Sequence, residues 1–327
     1  MKSNSTAILI KIKLCHRLGR PSRSDFVQSE TVKREEELCM EYFKKLSVTD
    51  SITQIEDLCG TKMYLVEGSE RAVLIDTGIG LGNIYRFVCS ITDKPLDVII
   101  THGHADHAMG SGTFTKNVSL YMNQADFAIY KQHSEKKFRF QYFDSVKLMF
   151  AGIKFLFKKT ADLEWYDPAD VDRFKPLKAG DVFELGNEKL EICSGAGHTA
   201  GCITVLFKNA RILLTGDAAN NGTYLFDTYS LPVSAYKKAM IELKKQSEGK
   251  YDKVLVCHGM PKKIGFADKN MVNGAIWLCD AILDNRDLRI KTKRMEKACY
   301  TAKKFMSKKD IGDKSDCNII YSDYTLR

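Results

Sequence analysis

A run of ligand-type side chains, THGHADH at positions 101–107, constrains this chain more than any other feature of its sequence. The run directly follows the apolar stretch DVII, so the chain leaves a buried strand and turns at once. In an extended segment His102 and His104 point to one side, and Asp106 and His107 follow at the turn into a helix. Three imidazoles and a carboxylate in one loop are typical of a metal site, because protonated imidazoles this close would repel one another.

Three later β-rich runs each end in one further metal-ligand candidate. His198 lies in GAGHTAG, Asp217 ends ILLTGD, and His258 ends KVLVCH, each beside small residues. Three such residues at the same relative place are more than chance supplies. With these additions, five of the seven histidines of the chain are assigned to one predicted metal site. The other two, His16 and His133, we predict to be surface residues.

The predicted site therefore has more ligands than one ion needs. Its members are His102, His104, Asp106, His107, His198, Asp217 and His258. Seven groups exceed the four ligands of a tetrahedral ion, so the sequence predicts two ions that share a bridging carboxylate. Imidazoles with carboxylates favour Zn²⁺, two per chain, with iron or manganese as alternatives.

Together, HxHxDH after a strand, the GHTxG histidine, the strand-end GD and the final HG resemble the metallo-β-lactamase superfamily. The resemblance extends over roughly Ile52 to His258, and VLIDTG at 73–78 resembles that family's first-strand turn. It implies an α/β fold, a four-layer αββα sandwich with two mixed β-sheets and the site at one sheet edge. Eight strands predicted from short β-rich runs, four on each side of about residue 175, agree with two similar halves.

The same resemblance implies a division of the ligands. The first ion would be held by His102, His104 and His198, the second by Asp106, His107 and His258, with Asp217 bridging. Asp76 would orient the ligand loop through hydrogen bonds without binding metal. The alternative is that Asp76 is an ordinary turn residue.

Departures from particular branches of the superfamily narrow the activity. Asp217 stands where the main antibiotic-hydrolysing members use cysteine, and His104 stands where the oxygen-reducing flavodiiron members use glutamate. The interval of 41 positions from Asp217 to His258 leaves no room for the large inserted domain of the nucleic-acid-cleaving branch. No segment matches the exosite arm of ribonuclease Z. Glyoxalase II and lactonase activities stay open.

The resemblance implies a metal-dependent hydrolase in which hydroxide from a dinuclear site attacks an ester, thioester, lactone or amide. Asp106 would steer the nucleophile or pass a proton to the leaving group. Asn220, Asn221 and Tyr224 follow Asp217 in a loop that we expect to overhang the site, where one could donate to an oxyanion. A turn at Asn-Asn-Gly explains the asparagines equally well.

An aromatic, basic segment over residues 134–164 interrupts the alternation of strands and helices. Apolar residues recur at helical spacing from Val146 to Phe157, so we predict one amphipathic helix. It either packs on the core or forms a helical lid over the site. Its aromatic character favours a small, apolar or acyl-bearing substrate.

The formal net charge of +9 is concentrated near the C-terminus. Residues 289–309 hold nine basic residues and one acid, and we predict a helix over Thr292–Met306 within them. The segment is either a solvated face or a surface for acidic partners. Nucleic acid is a possible but not favoured partner, so a phosphodiesterase or nuclease is the alternative function; a mononuclear-iron dioxygenase is a third.

These features predict three parts: an extension over 1–48, a catalytic domain over 49–288, and a basic C-terminal helix and tail over 289–327. KREEELCMEYFKK, within the first part, predicts a short charged helix. Ten scattered cysteines without a CxxC pair favour free thiols and a cytoplasmic protein. No apolar run approaches the ~18 residues of a transmembrane segment.

Overall fold

The computed structural model describes residues 41–259, 266–304 and 315–326. Most of the predicted N-terminal extension and of its charged helix lies outside these residues. The strands are β1 (Lys44–Thr49), β2 (Ile52–Glu56), β3 (Lys62–Glu67), β4 (Ala72–Ile75), β5 (Leu96–Ile99), β6 (Ser119–Met122), β7 (Phe174–Pro176), β8 (Val182–Glu184), β9 (Lys189–Ser194), β10 (Ile203–Phe207), β11 (Ile212–Leu214), β12 (Thr223–Leu225), β13 (Lys253–Leu255), β14 (Ile290–Arg294), β15 (Lys297–Thr301) and β16 (Ile319–Tyr321). The α-helices are α1 (Ile84–Cys89), α2 (Ala105–Ala108), α3 (Phe127–His133), α4 (Lys136–Phe150), α5 (Ile153–Leu156), α6 (Val233–Ser247) and α7 (Met271–Leu283).

Two mixed sheets form the centre of the fold. The first runs β1-β2-β3-β4-β5-β6-β7, antiparallel from β1 to β4 and parallel from β4 to β7. The second runs β13-β11-β10-β9-β8, with only β11 and β13 parallel. Strand β4 is a continuous apolar run buried along its whole length, as expected for a strand covered on both faces.

The alternation of side chains along β4 explains the layers. Val73 and Ile75 pack with Val205 and Leu214 of the second sheet in one apolar cluster, so they lie between the sheets. Leu74 points the other way, because successive side chains of a strand face opposite sides. It belongs to the cluster that includes the helical residues on the outer face of the first sheet.

Helices cover the outer face of the second sheet in the same manner. Leu213 of β11 packs in a cluster with Met240 of α6 and Leu278 of α7. With the helices on the first sheet, this gives two helical layers around two sheets. The predicted four-layer αββα sandwich is confirmed.

The basic C-terminal segment corrects one prediction. The helix over Thr292–Met306 is wrong: β14 and β15 form an antiparallel hairpin, and residues 305–314 are outside the described part. Met295 and Glu296 have φ values of 47° and 64°, as in the type I′ turn that suits a two-residue hairpin loop. Cys299 is buried against Ile320, so the side chains of this segment alternate between two faces with the two-residue period of a strand. The hairpin belongs to a third sheet, β12-β16-β15-β14, which the sequence did not suggest.

The aromatic segment is broken where one helix was predicted. Helix α4 ends at Phe150, and Gly152, with φ of 74°, turns the chain into the short α5. The left-handed conformation at Gly152 ends the helix, because residues with a side chain rarely adopt it. Phe143 is fully buried, yet Met149, on the predicted apolar face, is 77% exposed.

The strand ends that carry the ligand candidates meet at one edge of the sandwich. The Ile203 amide donates to the Thr101 carbonyl at 3.0 Å, and the Lys62 amide donates to the Cys257 carbonyl at 2.9 Å. Both bonds join the first sheet to the second beside a ligand-bearing loop. Within the described residues, no helix has the length and apolar character that a bilayer crossing requires. The cysteines described are free thiols.

Candidate metal centre

Asp76 fixes both ends of the ligand loop. It follows β4 with φ of 65°, and its Oδ1 accepts a 2.7 Å hydrogen bond from the Thr101 amide. Its Oδ2 accepts from the Thr101 hydroxyl and from Nδ1 of His107, both at 2.8 Å. The carboxylate is fully buried, so these donors replace the water that it would otherwise need.

The hydrogen-bond partners of three imidazoles assign their tautomers. Nδ1 of His107 donates to the carboxylate just described, and Nδ1 of His198 donates to the Tyr224 carbonyl at 2.8 Å. The Thr101 hydroxyl is already a donor to that carboxylate, so Nδ1 of His102, 3.0 Å away, donates to it. In the neutral form of each ring, the proton on Nδ1 leaves Nε2 with a free lone pair.

His102, His104 and His198 form a first group of candidate ligands. Nε2 of His102 and Nε2 of His198 lie 3.1 and 2.9 Å from the same atom, Nδ1 of His104. Nδ1 of His104 has at most one proton, so it can donate to only one of its two neighbours. A cation between the three nitrogens would satisfy all of them.

A second group lies beside the first. Nε2 of His107 is 3.0 Å from Nε2 of His258, which in turn is 3.2 Å from Oδ2 of Asp106. Oδ2 of Asp106 is 3.7 Å from Nε2 of His107. These three atoms again face a common point, as the ligands of one ion do.

Asp217 lies between the two groups. Its Oδ2 is 3.2 Å from Nε2 of His258 and 3.4 Å from Nε2 of His107. The same oxygen is 3.8 Å from Nε2 of His198 and 4.0 Å from Nε2 of His102. One carboxylate oxygen is thus within reach of both groups, which is the geometry that a bridging ligand requires.

The electrostatics of the metal-free site agree with a donor set for cations. Burial, with the neighbouring imidazoles, holds the pKa of His102 and of His104 well below the usual value, so both rings are neutral. Burial opposes ionisation of Asp106 and Asp217, but His107 and His258 hold the pKa of both carboxyls well below their usual range. Burial opposes protonation of His107 and His258 as well, but the carboxylates raise the pKa of His107 well above its usual value and that of His258 to about 10, so these two rings are cationic in the metal-free site. Ionised carboxylates that favour positive charge at this point, beside the neutral rings of His102 and His104, fit a pair of Zn²⁺ ions.

Asp126 is a structural residue of the site that sequence reasoning missed. Its Oδ2 accepts from the Gly103 amide at 2.9 Å and from the Thr199 hydroxyl at 2.6 Å. Its Oδ1 accepts from the Gly201 amide at 2.7 Å. One buried carboxylate therefore joins the loop of the first two histidines to the loop of His198. Asp126 precedes α3 and has no local signal, since its partners are distant in sequence.

His133 is not the surface residue that the sequence predicted. It is 7% exposed, and its Nδ1 accepts a 3.2 Å hydrogen bond from the Ala105 amide. Its ring stacks between His104, with centroids 5.1 Å apart, and Phe138, at 4.1 Å. Burial lowers the pKa of His133 to about 4. The prediction failed because the local sequence around a single histidine at the end of a helix does not show which other parts of the chain pack on its ring.

Helix α4 contacts the site directly through Tyr142. The Tyr142 hydroxyl donates to Oδ2 of Asp106 at 2.8 Å, and the Thr61 hydroxyl donates to the same oxygen at 3.3 Å. The aromatic segment thus packs on the core through Phe143 and also reaches a predicted metal ligand. Helical spacing in the sequence indicated the helix but not this contact.

The loop after Asp217 has three residues that the sequence marked for substrate binding. Nδ2 of the Asn220 side chain donates to Oδ1 of Asp217 at 3.2 Å, and Oδ1 of the same side chain accepts from the Gly222 main-chain amide at 2.7 Å. The Asn221 side chain lies beside Gly259, next to His258. Tyr224 contributes its main-chain carbonyl to His198. The side chain of Asn220 is therefore engaged in the turn and on a ligand.

Comparisons with known proteins show which family model and which relatives the chain matches. A model of the family described as "Metallo-beta-lactamase superfamily" matches residues 57–258. The chain is 26% identical over 207 residues to the acyl-coenzyme A thioesterase MBLAC2 of Homo sapiens, across 57% of this chain and 70% of that protein. It is also 26% identical over 203 residues to the protein of the same name from Bos taurus, with the same two coverages.

Similar solved structures support the fold. A metallo-beta-lactamase from Pontibacter korlensis has a TM-score of 0.52 and 17% identity, covering 73% of this chain and 99% of that chain. The sec-alkylsulfatase Pisa1 from Pseudomonas sp. has a TM-score of 0.56 and 15% identity, covering 75% of this chain and 42% of that chain. At these identities the likeness concerns the fold alone.

Proposed function

The chain belongs to the metallo-beta-lactamase superfamily and is a hydrolase of that family, and from this premise we propose that it hydrolyses acyl thioesters at a dinuclear zinc site. The convergence of seven ligand atoms into two groups that share Asp217 is the observation that carries this proposal. The similarity to proteins described as acyl-coenzyme A thioesterases supports the choice of the thioester.

In the proposed centre the ligands divide as the resemblance implies. His102, His104 and His198 would hold the first ion, Asp106, His107 and His258 would hold the second, and Asp217 would contact both; the grouping of these side chains supports this division. Asp76, by accepting from Nδ1 of His107, would hold this ring in the orientation in which Nε2 can bind an ion. Zinc is the metal that this donor set suits best, with iron and manganese as alternatives.

When bound, two adjacent divalent ions lower the pKa of water to about 7 and polarise a substrate carbonyl, so hydroxide is available at neutral pH. The protein's part is to hold the donors and to orient the nucleophile. Asp106 performs the second task. Its Oδ2 accepts from Tyr142 and Thr61, which favours the ionised carboxylate, so it steers the nucleophile by accepting its proton in a hydrogen bond.

The same contacts make Asp106 a poor source of a proton for the leaving group. A thiol has a pKa of about 8.5, so a thiolate leaves near neutral pH without being protonated by the enzyme. The amine leaving group of an amide and the alkoxide leaving group of a simple ester are much stronger bases than a thiolate, so their departure depends far more on a proton from the enzyme. A site whose nearest carboxyl is held ionised therefore favours thioesters over amides and simple esters.

Aromatic side chains around the first group favour an acyl substituent. Phe138 stacks on His133, and Tyr229 packs edge-on against His133 and His104. These rings present apolar surface beside the ligands, on the side where α4 passes the site. We propose that α4 covers a bound acyl group as a lid, which the contact of Tyr142 with Asp106 supports.

The experiment is a panel of substrates with one acyl group attached as a thioester, an oxygen ester, an amide or a lactone, alongside a phosphodiester. The panel is assayed on protein whose metal content has been measured. We expect the thioester to have the highest kcat/KM. A higher kcat/KM for any of the others would contradict the proposal and identify the bond that is cleaved.

A phosphodiesterase is the second candidate, because β14 and β15 place exposed cations on the described surface. Degradation of nucleic acid that collapses with added salt, with no thioester hydrolysis, would favour it. A single iron ion per chain in place of two zinc ions would instead favour a mononuclear-iron dioxygenase.

A further inference from the structure

The β14–β15 hairpin is joined to the candidate metal centre through the third sheet. The Tyr224 carbonyl of β12 accepts the hydrogen bond that orients His198. Strand β12 pairs with β16, which pairs with β15, and β15 pairs with β14. The hairpin therefore has a fixed position near the site, although all of its residues follow His258, the last proposed ligand, by over thirty positions.

Two cations of the hairpin face the site loop. Arg294 and Lys297 are register partners, so their side chains lie on one face of the hairpin. Nζ of Lys297 is 2.8 Å from Oδ1 of Asp227, which follows β12. Burial raises the pKa of the Tyr224 hydroxyl; the Arg294 guanidinium opposes this shift, and Asp217 adds to it. One phenol thus lies within the electrostatic reach of both Arg294 and the central carboxylate of the site.

Two more cations lie on the opposite face of β14. Lys291 and Lys293 are exposed, and Lys293 pairs with Glu296, the one acid of residues 290–301. Four basic residues against one acid give this short hairpin a charge of +3. These side chains repel one another because they carry the same charge, and an anionic ligand would relieve the repulsion. Their concentration beside a catalytic site is therefore suited to an anionic ligand.

The common thiol carriers of acyl groups hold their phosphates at the far end of a long arm. Three strand spacings of about 4.8 Å separate β12 from β14, or about 14 Å across the sheet. A ligand whose thioester lies at the metals and whose anionic end lies a long arm away fits this arrangement.

We propose that the β14–β15 hairpin binds the phosphates of a nucleotide-linked thiol of the coenzyme A type, whose acyl thioester is the substrate. This inference rests on the proposed function, because it assigns the non-reacting end of the same substrate. Strand β14 is at the edge of its sheet, so a ligand that crosses this edge can reach both faces of the hairpin. Arg294, next to Tyr224, contacts the phosphate nearest the arm, and Lys291 and Lys293 on the opposite face contact the outer phosphates. Lys297 stays paired with Asp227 and positions the hairpin.

The test compares two thioesters of one acyl group, one on coenzyme A and one on N-acetylcysteamine, which has no phosphate. The variant is Lys291→Gln with Lys293→Gln and Arg294→Gln, which leaves the Lys297–Asp227 pair intact. We expect KM for the acyl-coenzyme A to rise at least about 10-fold, with kcat unchanged. KM and kcat for the phosphate-free thioester should not change. The matched control removes three exposed lysines of equal charge on and after α6: Lys238→Gln, Lys245→Gln and Lys250→Gln.

Equal effects on both thioesters, or no effect on either, would overturn the inference while leaving the hydrolase intact. A variant that loses cleavage of nucleic acid but keeps its KM for acyl-coenzyme A would overturn it in favour of a nucleic-acid ligand. If the wild-type protein hydrolyses neither thioester, the proposed function fails, and calorimetric binding of free coenzyme A then decides the hairpin separately. Binding that weakens about 10-fold in the variant supports the inference, and undetectable or equal binding overturns it.

Discussion

The Tyr142 hydroxyl donates a 2.8 Å hydrogen bond to Oδ2 of Asp106, and so ties the inserted helix α4 to a proposed metal ligand. Hydrogen-bond partners of metal ligands set the orientation of the ligand, and their loss costs about 10- to 100-fold in metal affinity. Tyr142→Phe should therefore weaken binding of one of two Zn²⁺ ions by at least about 10-fold, measured by competition with a chromophoric chelator.

Tyr166→Phe is the matched control, because its hydroxyl also bonds a carboxylate, Oε1 of Glu164, but no proposed ligand. Equal zinc affinities in Tyr142→Phe, Tyr166→Phe and the wild type would contradict a positioning role for Tyr142.

Asp126 joins two ligand loops through three hydrogen bonds, so Asp126→Asn should disturb both. An amide group turned toward the donors of Gly103, Thr199 and Gly201 leaves at least one of them unpaired. Leaving a buried donor unpaired costs about 1–3 kcal/mol, which urea unfolding of the metal-free protein would measure as a lower free energy of unfolding.

Asp172→Asn, at an exposed position, is the control for Asp126→Asn and should leave the free energy of unfolding within about 0.5 kcal/mol of the wild type. An unfolding free energy for Asp126→Asn that matches this control would show that the carboxylate does not hold the loops.

The buried imidazole of His133 makes the stability of the fold depend on pH. Burial lowers its pKa from about 6.5 to about 4. As pH falls through this range the unfolded chain takes up a proton that the native ring refuses, so the native state loses up to about 3 kcal/mol. The contribution is absent above pH 6.5 and complete below pH 4.

His133→Asn keeps an oxygen that can accept from the Ala105 amide and removes the titration. The unfolding free energy of metal-free His133→Asn should therefore fall less between pH 7.5 and pH 4.5 than that of the wild type, by about 2.5 kcal/mol in urea titrations. Parallel pH dependences in the two proteins would contradict this account of His133.

Substitution of a proposed ligand should remove catalysis and spare the fold. His102→Ala or Asp217→Ala deletes a donor from the shared region between the two groups, so hydrolysis should fall to the uncatalysed background. Far-ultraviolet circular dichroism should match the wild type, since the sheets and helices do not depend on these side chains. Activity within about 10-fold of the wild type in either variant would exclude that residue as a ligand.

The sequence predicted the parts of the fold that have a local signal. Strand β4 and the loop at 101–107 are recognisable because an apolar run and its ligands are adjacent in the chain. The αββα sandwich followed from these strand ends together with the resemblance. The β14–β15 hairpin was missed because its lysines mask a period of two, and only the burial of Cys299 against Ile320 identifies the face that packs.

The supporting residues of the site could not be predicted in this way. Asp126 accepts hydrogen bonds from residues 23, 73 and 75 positions away, and Tyr142 bonds a residue 36 positions away. No pattern in a single sequence encodes such pairs, because they exist only after the sheets and α4 have packed together. The proposed ligands could be selected from the sequence because each lies in a segment that follows a strand.

The most direct test of the central claim measures zinc content and thioester hydrolysis on the same protein sample, before and after removal of metal with a chelator. The account predicts two zinc ions per chain, loss of hydrolysis when they are removed, and recovery when two equivalents are returned. Full activity in the metal-free protein would contradict it.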